Sequence, residues 1–286
     1  DENIIKRLYK ESTRFKLNLN NPTGFSQKLC WLKLNNRDPL LTVCTDKYLV
    51  REYIKSKGYS NILNELYGVY ESAEDINFDN LPEEVFFKCN HASGYNYKYK
   101  RDDKFNRTKF NKRFNGYLKE NYYWKSREWN YKNIKPLIVA EKVIPNSEKL
   151  LDDKFLCVEG KVEFLTVHME TVKKDGTQTH KLKKANYDRN FNYKYMKLGV
   201  EPEGDIIPKP KNFEYMIEVA EALSDPFPIC RVDLYNDNGK VLFGEITFYH
   251  AGGNQVIEPL ELERYYGDLI DLNSSKIVRK KGYNCE

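Results

Sequence analysis

The sequence predicts an α+β protein with mostly antiparallel sheets, and three observations carry that expectation. Helical spacing of apolar residues dominates the stretch before Gly58. Short runs rich in β-formers and separated by turn residues dominate after it. Two pairs of those runs are joined by tight turns, Glu159-Gly160-Lys161 and Asp237-Asn238-Gly239, the connection that antiparallel neighbours use.

Taken in order, Ile4, Ile5, Leu8 and Tyr9 share one stripe and predict a helix over 3–17, broken by Asn21-Pro22-Thr23-Gly24. Phe25, Leu29 and Leu32 predict a second over 25–35. A third runs from Thr45 to Ser56, with Thr45 or Asp46 as N-cap and Gly58 past its end. Strands are expected at 62–69, 85–90 and 95–100, then a basic aromatic helix over 106–122, then strands at 136–144, 154–159 and 162–168. Residues 170–210 are polar, carry Gly and Pro, and read as a long loop. A helix over 212–223 turns Phe213, Met216, Ile217 and Ala220 inward; strands at 228–235 and 241–248 and a helix over 259–272 complete the chain.

Composition narrows the function classes. The 286 residues suffice for one large domain, or for two to three subdomains on a shared core. At 31% charged residues disorder has to be considered, but 22 Tyr and 15 Phe need burial and argue against it. A net charge of +5 suits anionic ligands and is too small and too dispersed for a nucleic-acid footprint. No apolar run has the length of a bilayer span, and DENIIKRLYKESTRF lacks the apolar core of a signal peptide, so a cytoplasmic protein is expected. The six cysteines form no CxxC pair and several sit in apolar runs, the pattern of buried reduced thiols.

The most informative stretch is PICRVDLYNDNGKVLFGEITF. A three-residue loop at Asp237-Asn238-Gly239 pairs Asn236 with Lys240, Tyr235 with Val241, Asp233 with Phe243, and Arg231 with Glu245. One face then carries Arg231, Asp233, Glu245 and Thr247; the other carries Cys230, Val232, Leu234, Leu242, Ile246 and Phe248. Asp233 and Glu245 become diagonal neighbours, roughly 7–8 Å apart at the backbone. Two carboxylates so close repel unless a cation sits between them. Mg²⁺ takes a few carboxylate oxygens together with substrate phosphates, and Arg231 can bridge to a phosphate. On spacing alone an ordinary solvent face explains the alternation equally well, and a one-residue slip would separate the two acids.

Read with FSQKLCWLKL, TDKYLVREY, VFFKCNHASG, KNIKPLIVAEKVI, DDKFLCVEGK and the AGG after FGEITF, the hairpin resembles the ATP-grasp superfamily. In particular it is similar to the TupA-like branch, named after teichuronopeptide biosynthesis. The resemblance runs from Phe25 to the final helix and implies two α+β subdomains clamping ATP. It implies a helical segment over 1–60, a subdomain with the phosphate loop over 61–140, and one with the metal hairpin over 141–286. It assigns Lys47 and Arg51 to the ATP phosphates, Lys88 to the nucleotide, and His91, Ser93 and Gly94 to a loop closing over the phosphates. Glu141, Lys142 and Val143 fall in the linker that recognises adenine, and either Glu148 or Asp152 binds ribose. Asp233 and Glu245 match the magnesium carboxylates. Thr247 stands where many relatives have Asn. Lys154 and Arg231 are the catalytic cations, and His250, Gly252 and Gly253 border the substrate.

The residues themselves weigh these roles differently. Lys88 lies between Phe86, Phe87 and Cys89 in an apolar strand and needs an anionic partner there. Without the resemblance, Lys47 and Arg51 read as a solvated helix face, Glu141 as the solvent end of a strand, and His91 and His250 as polar loop residues. The stretch 107–129 reads as a lid, as an acceptor platform or as a plain amphipathic helix.

The chemistry implied is a carboxylate–amine ligase that uses ATP and Mg²⁺ and passes through an acyl phosphate. Its partners would be a small-molecule or glycan carboxylate, such as a uronic acid or amino acid, and an amine, in bacterial surface polysaccharide synthesis. Neither nucleic acid nor a membrane span is expected; peripheral association with a polysaccharide-synthesis complex is compatible with the resemblance. One rival class is a glycosyltransferase of the same pathway, which often carries a DxD motif that this chain lacks; the other is a non-catalytic binding protein with the same shell, against which the presence of both Asp233 and Glu245 argues.

Overall fold

Helix α1 (Glu2–Thr13) buries Ile5 and Tyr9 and ends on Arg14, which adopts a left-handed conformation and donates its N–H to Lys10 O. Helix α2 (Phe25–Asn35) has the expected bounds. The expected third helix is instead two, α3 (Pro39–Thr45) and α4 (Val50–Ser56). Pro39 opens α3 with the Asp38 carboxylate accepting from Leu40 N, a start signal lying before the apolar spacing. Asp46 then accepts from Tyr48 N and Leu49 N, so the predicted cap sits in the break and leads into α4. These coordinates are a computed structural model, which describes residues 1–279 except 103, 146–149, 170–182, 200 and 238.

Strands β1 (Leu66–Tyr70), β2 (Glu84–Cys89), β3 (Asn96–Lys100) and β4 (Ile138–Glu141) form an antiparallel sheet in the order β1-β4-β2-β3. Alternation on β2 puts Val85, Phe87 and Cys89 into a core shared with Phe110 and Phe114 of α5 (Arg107–Leu118). It puts Phe86 and Lys88 on the opposite face. A short helix, α6 (Tyr123–Ser126), follows.

The second sheet holds β5 (Asp152–Val158), β6 (Lys161–Met169), β7 (Lys183–Asp188), β9 (Ile229–Asp237) and β10 (Lys240–Thr247), in the order β10-β9-β5-β6-β7. Helix α7 (Phe213–Ser224) covers one face through Phe213, Met216, Ile217 and Ala220. Strands β8 (Lys197–Leu198) and β11 (Ile257–Glu258) form a separate pair, followed by α8 (Leu260–Asp268). Among the described residues no helix is long and apolar enough to cross a membrane.

Strand β7 falls inside the stretch expected to be a loop. Its sequence, KKANYD, hides it, because the polar residues are buried and satisfied by distant partners. Lys184 donates to Leu198 O; Asn186 donates to Met196 O and accepts from Thr166 Oγ1. Such partners make burial of Lys and Asn tolerable and leave no apolar signal in the chain.

The β9–β10 register also differs from expectation. Lys240 pairs with Asp237, so the turn is one residue tighter, and Leu242 faces Tyr235. That slip moves Leu242 to the polar face and sends Val241 into the core. A bulge at Gly244 then restores the phase, so that Glu245 lies directly opposite Asp233, not diagonal to it, and Thr247 opposite Arg231. Glycine suits the bulge: a Cβ on Gly244 would lie 3.0 Å from Asp233 O and 3.1 Å from the Tyr235 ring, tight enough that the neighbours would have to shift.

The α7 side of the sheet contains one misplaced acid. Asp153 is 1% exposed, sits between Val167 and Leu234, and has no hydrogen-bond partner among the described residues on either carboxyl oxygen. Burial pushes its carboxyl up to about 7. A folded-state value above the unfolded one means that the native protein holds the proton longer. Stability therefore falls as pH rises from about 4 to 7. Asp153→Asn should remove that loss and gain on the order of 2–4 kcal/mol over wild type above pH 7. Melting temperature measured against pH checks it; parallel profiles for the two proteins would refute it.

Candidate active site

The face of the second sheet away from α7 collects the ionisable groups. Four strands contribute one rung each way. Thr166 (β6), Lys154 (β5), Asp233 (β9) and Glu245 (β10) lie side by side, and Phe164, Leu156, Arg231 and Thr247 form the next rung. Lys154 Nζ reaches Asp233 at 2.5 Å and Asp152 at 2.6 Å. Arg231 grips Asp233 with two bonds of 2.6 and 2.7 Å and lies 3.4 Å from Glu245 and 3.2 Å from Thr247 Oγ1. Thr247 donates to Glu245 at 3.1 Å.

Lys47 joins this group from the break between α3 and α4. Its Nζ is 3.7 Å from Glu245 and donates to Ala92 O at 2.9 Å, at the edge of the Ser93-Gly94 loop. Ser93 and Gly94 are exposed, and Gly94 has φ +79°. The loop is thus tethered beside the acids by one lysine. His91 is buried, with its ring nitrogens against Asn90 Oδ1 and Tyr117 O on the α5 side.

Electrostatics keep both central acids ionised. Burial pushes Asp233 up, but Arg231 and then Lys154 outweigh it and hold the carboxyl below the usual range. Burial likewise opposes ionisation of Glu245, and Lys47 with Arg231 and Lys154 reverses it. For Lys154, burial lowers the ammonium, and Asp152 and Asp233 more than restore it. Asp152 itself is raised by burial.

A second cluster lies on the first sheet. Glu141 is diagonal to Lys88 across β2 and β4, and Lys88 Nζ meets it at 2.7 Å. Arg51 is 3.4 Å from the same carboxylate and donates to Asn64 O. Lys88 therefore has the anion its apolar strand demanded, although the partner is a protein side chain. Lys142 N donates to Glu65 O, and Lys142 O accepts from Asn64. Val143 follows, half-buried. Glu148 lies outside the described residues.

Arg231 Nη1 donates to His250 Nδ1 at 2.8 Å. Burial, then Arg231, drives its pKa down to about 3. The ring is neutral with the proton on Nε2, which is buried and has no hydrogen-bond partner, although the Gln255 amide lies near. Gly252 and Gly253 continue this turn with φ +64° and +73°. A Cβ on Gly253 would come within 3.0 Å of Cys30 Sγ on α2. A cavity of about 820 Å³ opens beside His250, Arg231 and Lys154, and reaches His168, Lys184 and Phe25.

Among the described residues no three His, Cys, Asp or Glu side chains gather to hold a metal unaided. Asp233 facing Glu245, with the Thr247 hydroxyl beside them, nevertheless fits magnesium, which takes one or two carboxylates and leaves its other positions to water and phosphate. Lys154 and Arg231 hold the Asp233 oxygen that such an ion would need.

Sequence reasoning missed two members of the neighbourhood. Lys33, on α2, is 1% exposed and donates to Gly252 O at 2.5 Å and to Ser126 O. Glu128, after α6, is 7% exposed and near enough to Glu245 and Arg231 for their charges to act on it. The available signal for Lys33 was a lysine inside the apolar run CWLKL, the same anomaly that marked Lys88.

The chain matches the family described as TupA-like ATPgrasp over residues 27–271. It is similar to the D-alanine–D-alanine ligase of Bacillus anthracis solved with ATP, at 14% identity over 83% of this chain and 66% of that one, TM-score 0.44. It is similar to the D-alanine–D-alanine ligase of Helicobacter pylori, at 13% identity over 89% and 69%, TM-score 0.47. An L-amino acid ligase of Bacillus licheniformis shares 12% identity over 73% and 44%, TM-score 0.46. The chain thus spans 44–69% of the length of these three proteins. No curated protein sequence matches it. The family match covers most of the chain and includes both charged clusters, and the protein belongs to the TupA-like ATP-grasp family.

Proposed function

We propose that this protein is an ATP-dependent carboxylate–amine ligase that works through an acyl phosphate. The observation that carries the reading is the rung Lys154–Asp233–Glu245, with Arg231 and Lys47 against the same two acids. The segments 61–140 and 141–286 are the two halves of the ATP clamp. Lys88 binds the nucleotide from the first sheet, and Arg51, on α4, assists Lys47 at the phosphates. Glu141, Lys142 and Val143 receive adenine, and Asp152 or Glu148 the ribose. Lys47 and the His91–Gly94 loop border the phosphates.

Asp233, Glu245 and Thr247 would hold magnesium, which when bound offsets phosphate charge. The substrate carboxylate attacks the γ-phosphorus, the bond to the β-phosphate oxygen breaks, and ADP leaves. Lys154 and Arg231 neutralise charge on the transferring group and hold the acyl phosphate. The amine nitrogen then attacks the acyl carbon, the carbon–oxygen bond to phosphate breaks, and phosphate leaves with a proton from the amine. Such catalysis is positioning and charge stabilisation, which fixed cations on strands supply. His250, Gly252 and Gly253 border the substrate at the cavity.

The substrates we propose are a uronic acid, free or on a nucleotide or lipid carrier, or an amino acid, joined to an amino acid or amino alcohol. The setting is cytoplasmic surface-polysaccharide synthesis. The test is a phosphate-release screen of uronic acids and nucleotide uronates against amines, with ATP. ADP release that needs both a carboxylate and an amine is expected. Release of nucleoside diphosphate from a sugar nucleotide without ATP would instead make it a glycosyltransferase.

Lys88 supplies a separate check on the nucleotide assignment. Lys88→Gln should weaken ATP binding by about 10–100-fold, the value of one charge-assisted contact. Calorimetric titration with ATP measures it; unchanged affinity would remove Lys88 from the nucleotide site.

A further inference from the structure

Glu128 is a buried acid without an ion-pair partner among the described residues. It stands between α6 and the Trp129–Tyr131 turn, where its backbone N–H donates to Ser126 Oγ and its carbonyl accepts from Tyr131 N. The Ser126 hydroxyl is the neutral group set against its carboxyl. Buried acids are ordinarily paired, so an unpaired one next to a reactive site calls for a ligand.

The surroundings say which ligand. Lys33 is the nearest cation in effect, yet its ammonium is spent on the carbonyls of Gly252 and Ser126. Glu245 and Arg231 act on Glu128 from the phosphate side, and it hydrogen-bonds none of Asp233, Glu245 and Thr247. Gly252 faces it: a Cβ built there would be 3.8 Å from Glu128 Oε1 and 3.1 Å from Asn254 Nδ2. Tyr122, Tyr131 and Tyr249 are further titratable groups on which its charge acts, all held neutral by burial. A carboxylate without an ion pair thus stands against aromatic rings and a glycine turn, beside the cations of the phosphate site.

We propose that Glu128 receives the ammonium group of the acceptor substrate and takes one proton from it before the nitrogen attacks the acyl phosphate. The assignment rests on the ligase reading. The step balances simply: the ammonium gives one proton to the carboxylate, and the amine forms the carbon–nitrogen bond as phosphate departs. A second amine proton leaves with phosphate, and Glu128 returns its proton to solvent. Burial holds the carboxyl near 7, which suits a base working at neutral pH.

Hydroxylamine separates this role from others, because it is unprotonated at neutral pH and needs no base. Glu128→Gln and wild type are compared with ATP and the carboxylate and amine that the phosphate-release screen returns. Amide and hydroxamate are measured in parallel. The expected result is amide formation about 10²-fold slower, with a higher KM for the amine and hydroxamate formation within a few-fold of wild type. Equal amide rates in variant and wild type overturn the Glu128 assignment alone. Parallel loss of both products also overturns it, since Glu128 would then serve folding or the first step. A screen with no active pair, and no hydroxamate from wild type, sinks the ligase reading and this inference with it.

Discussion

Glu245→Gln should lower turnover about 10³-fold and leave the protein folded. Glu245 is the more accessible of the facing acids, with its side chain 36% exposed against 2% for Asp233. Its contacts are loose: 3.7 Å to Lys47, 3.4 Å to Arg231 and 3.1 Å from the Thr247 hydroxyl. Partly exposed pairs at such distances contribute no more than about 1 kcal/mol, so the melting temperature should stay within a few degrees. The amide keeps the shape and loses the charge that a divalent ion and the ATP phosphates would require. Loss of one electrostatic element of this kind costs about 10²–10³-fold, and a shared ion adds to that. Steady-state kcat with the active pair, alongside a thermal melt, provides the measurement. A variant retaining more than a tenth of wild-type kcat would remove Glu245 from the metal site.

Asp233→Asn should abolish turnover too, but with a structural penalty that Glu245→Gln lacks. Asp233 is the shared anion of two buried cations, Arg231 at 2.6 Å and Lys154 at 2.5 Å. Breaking a buried pair by removing one charge costs about 3–5 kcal/mol, because the partner remains buried and uncompensated. Asp152 still faces Lys154, and Glu245 still faces Arg231, so the lower end, about 3 kcal/mol, applies. That corresponds to roughly 6–12 °C in melting temperature for a domain of this size. The sign with pH follows from the direction of the shift. Arg231 and Lys154 depress the folded-state value of Asp233 against the effect of burial. Its contribution is full above the unfolded value of about 3.9 and fades as pH drops through the lower folded one. The gap between wild type and variant should hold at neutral pH and narrow in acid. An Asp233→Asn protein as stable as wild type at pH 7 would contradict the pairing seen around it.

The contrast between the two variants is useful because they remove charge from the same rung. Glu245→Gln reports on function with little structural cost, whereas Asp233→Asn reports on both. Loss of activity in both, with loss of stability in one, is the pattern that a metal-holding pair anchored at one end produces.

Much of this arrangement was legible in the chain. The helix over 25–35 and most strand positions follow from local spacing and turn chemistry, which the neighbouring residues alone decide. Lys88 announced an anionic partner because a lysine in an apolar strand is otherwise too costly. Asp233 and Glu245 share a face as expected, although by a different route. The turn slipped by one residue, and the bulge at Gly244 slipped it back. A glycine in a strand was the available hint, and its consequence for register was not.

What the sequence determined by itself is the order of elements, the location of the hairpin and the kinds of charge it carries. These depend on residues a few positions apart, whose propensities and turn preferences act before any tertiary contact exists. Only the tertiary structure decided that Lys154 stands beside Asp233, that β7 completes the sheet with buried lysine and asparagine, and that Lys33 and Glu128 meet at Gly252. Those contacts join segments far apart in the chain. They are selected by which polar groups find partners once the core excludes water, a sum over the whole molecule that no local window contains.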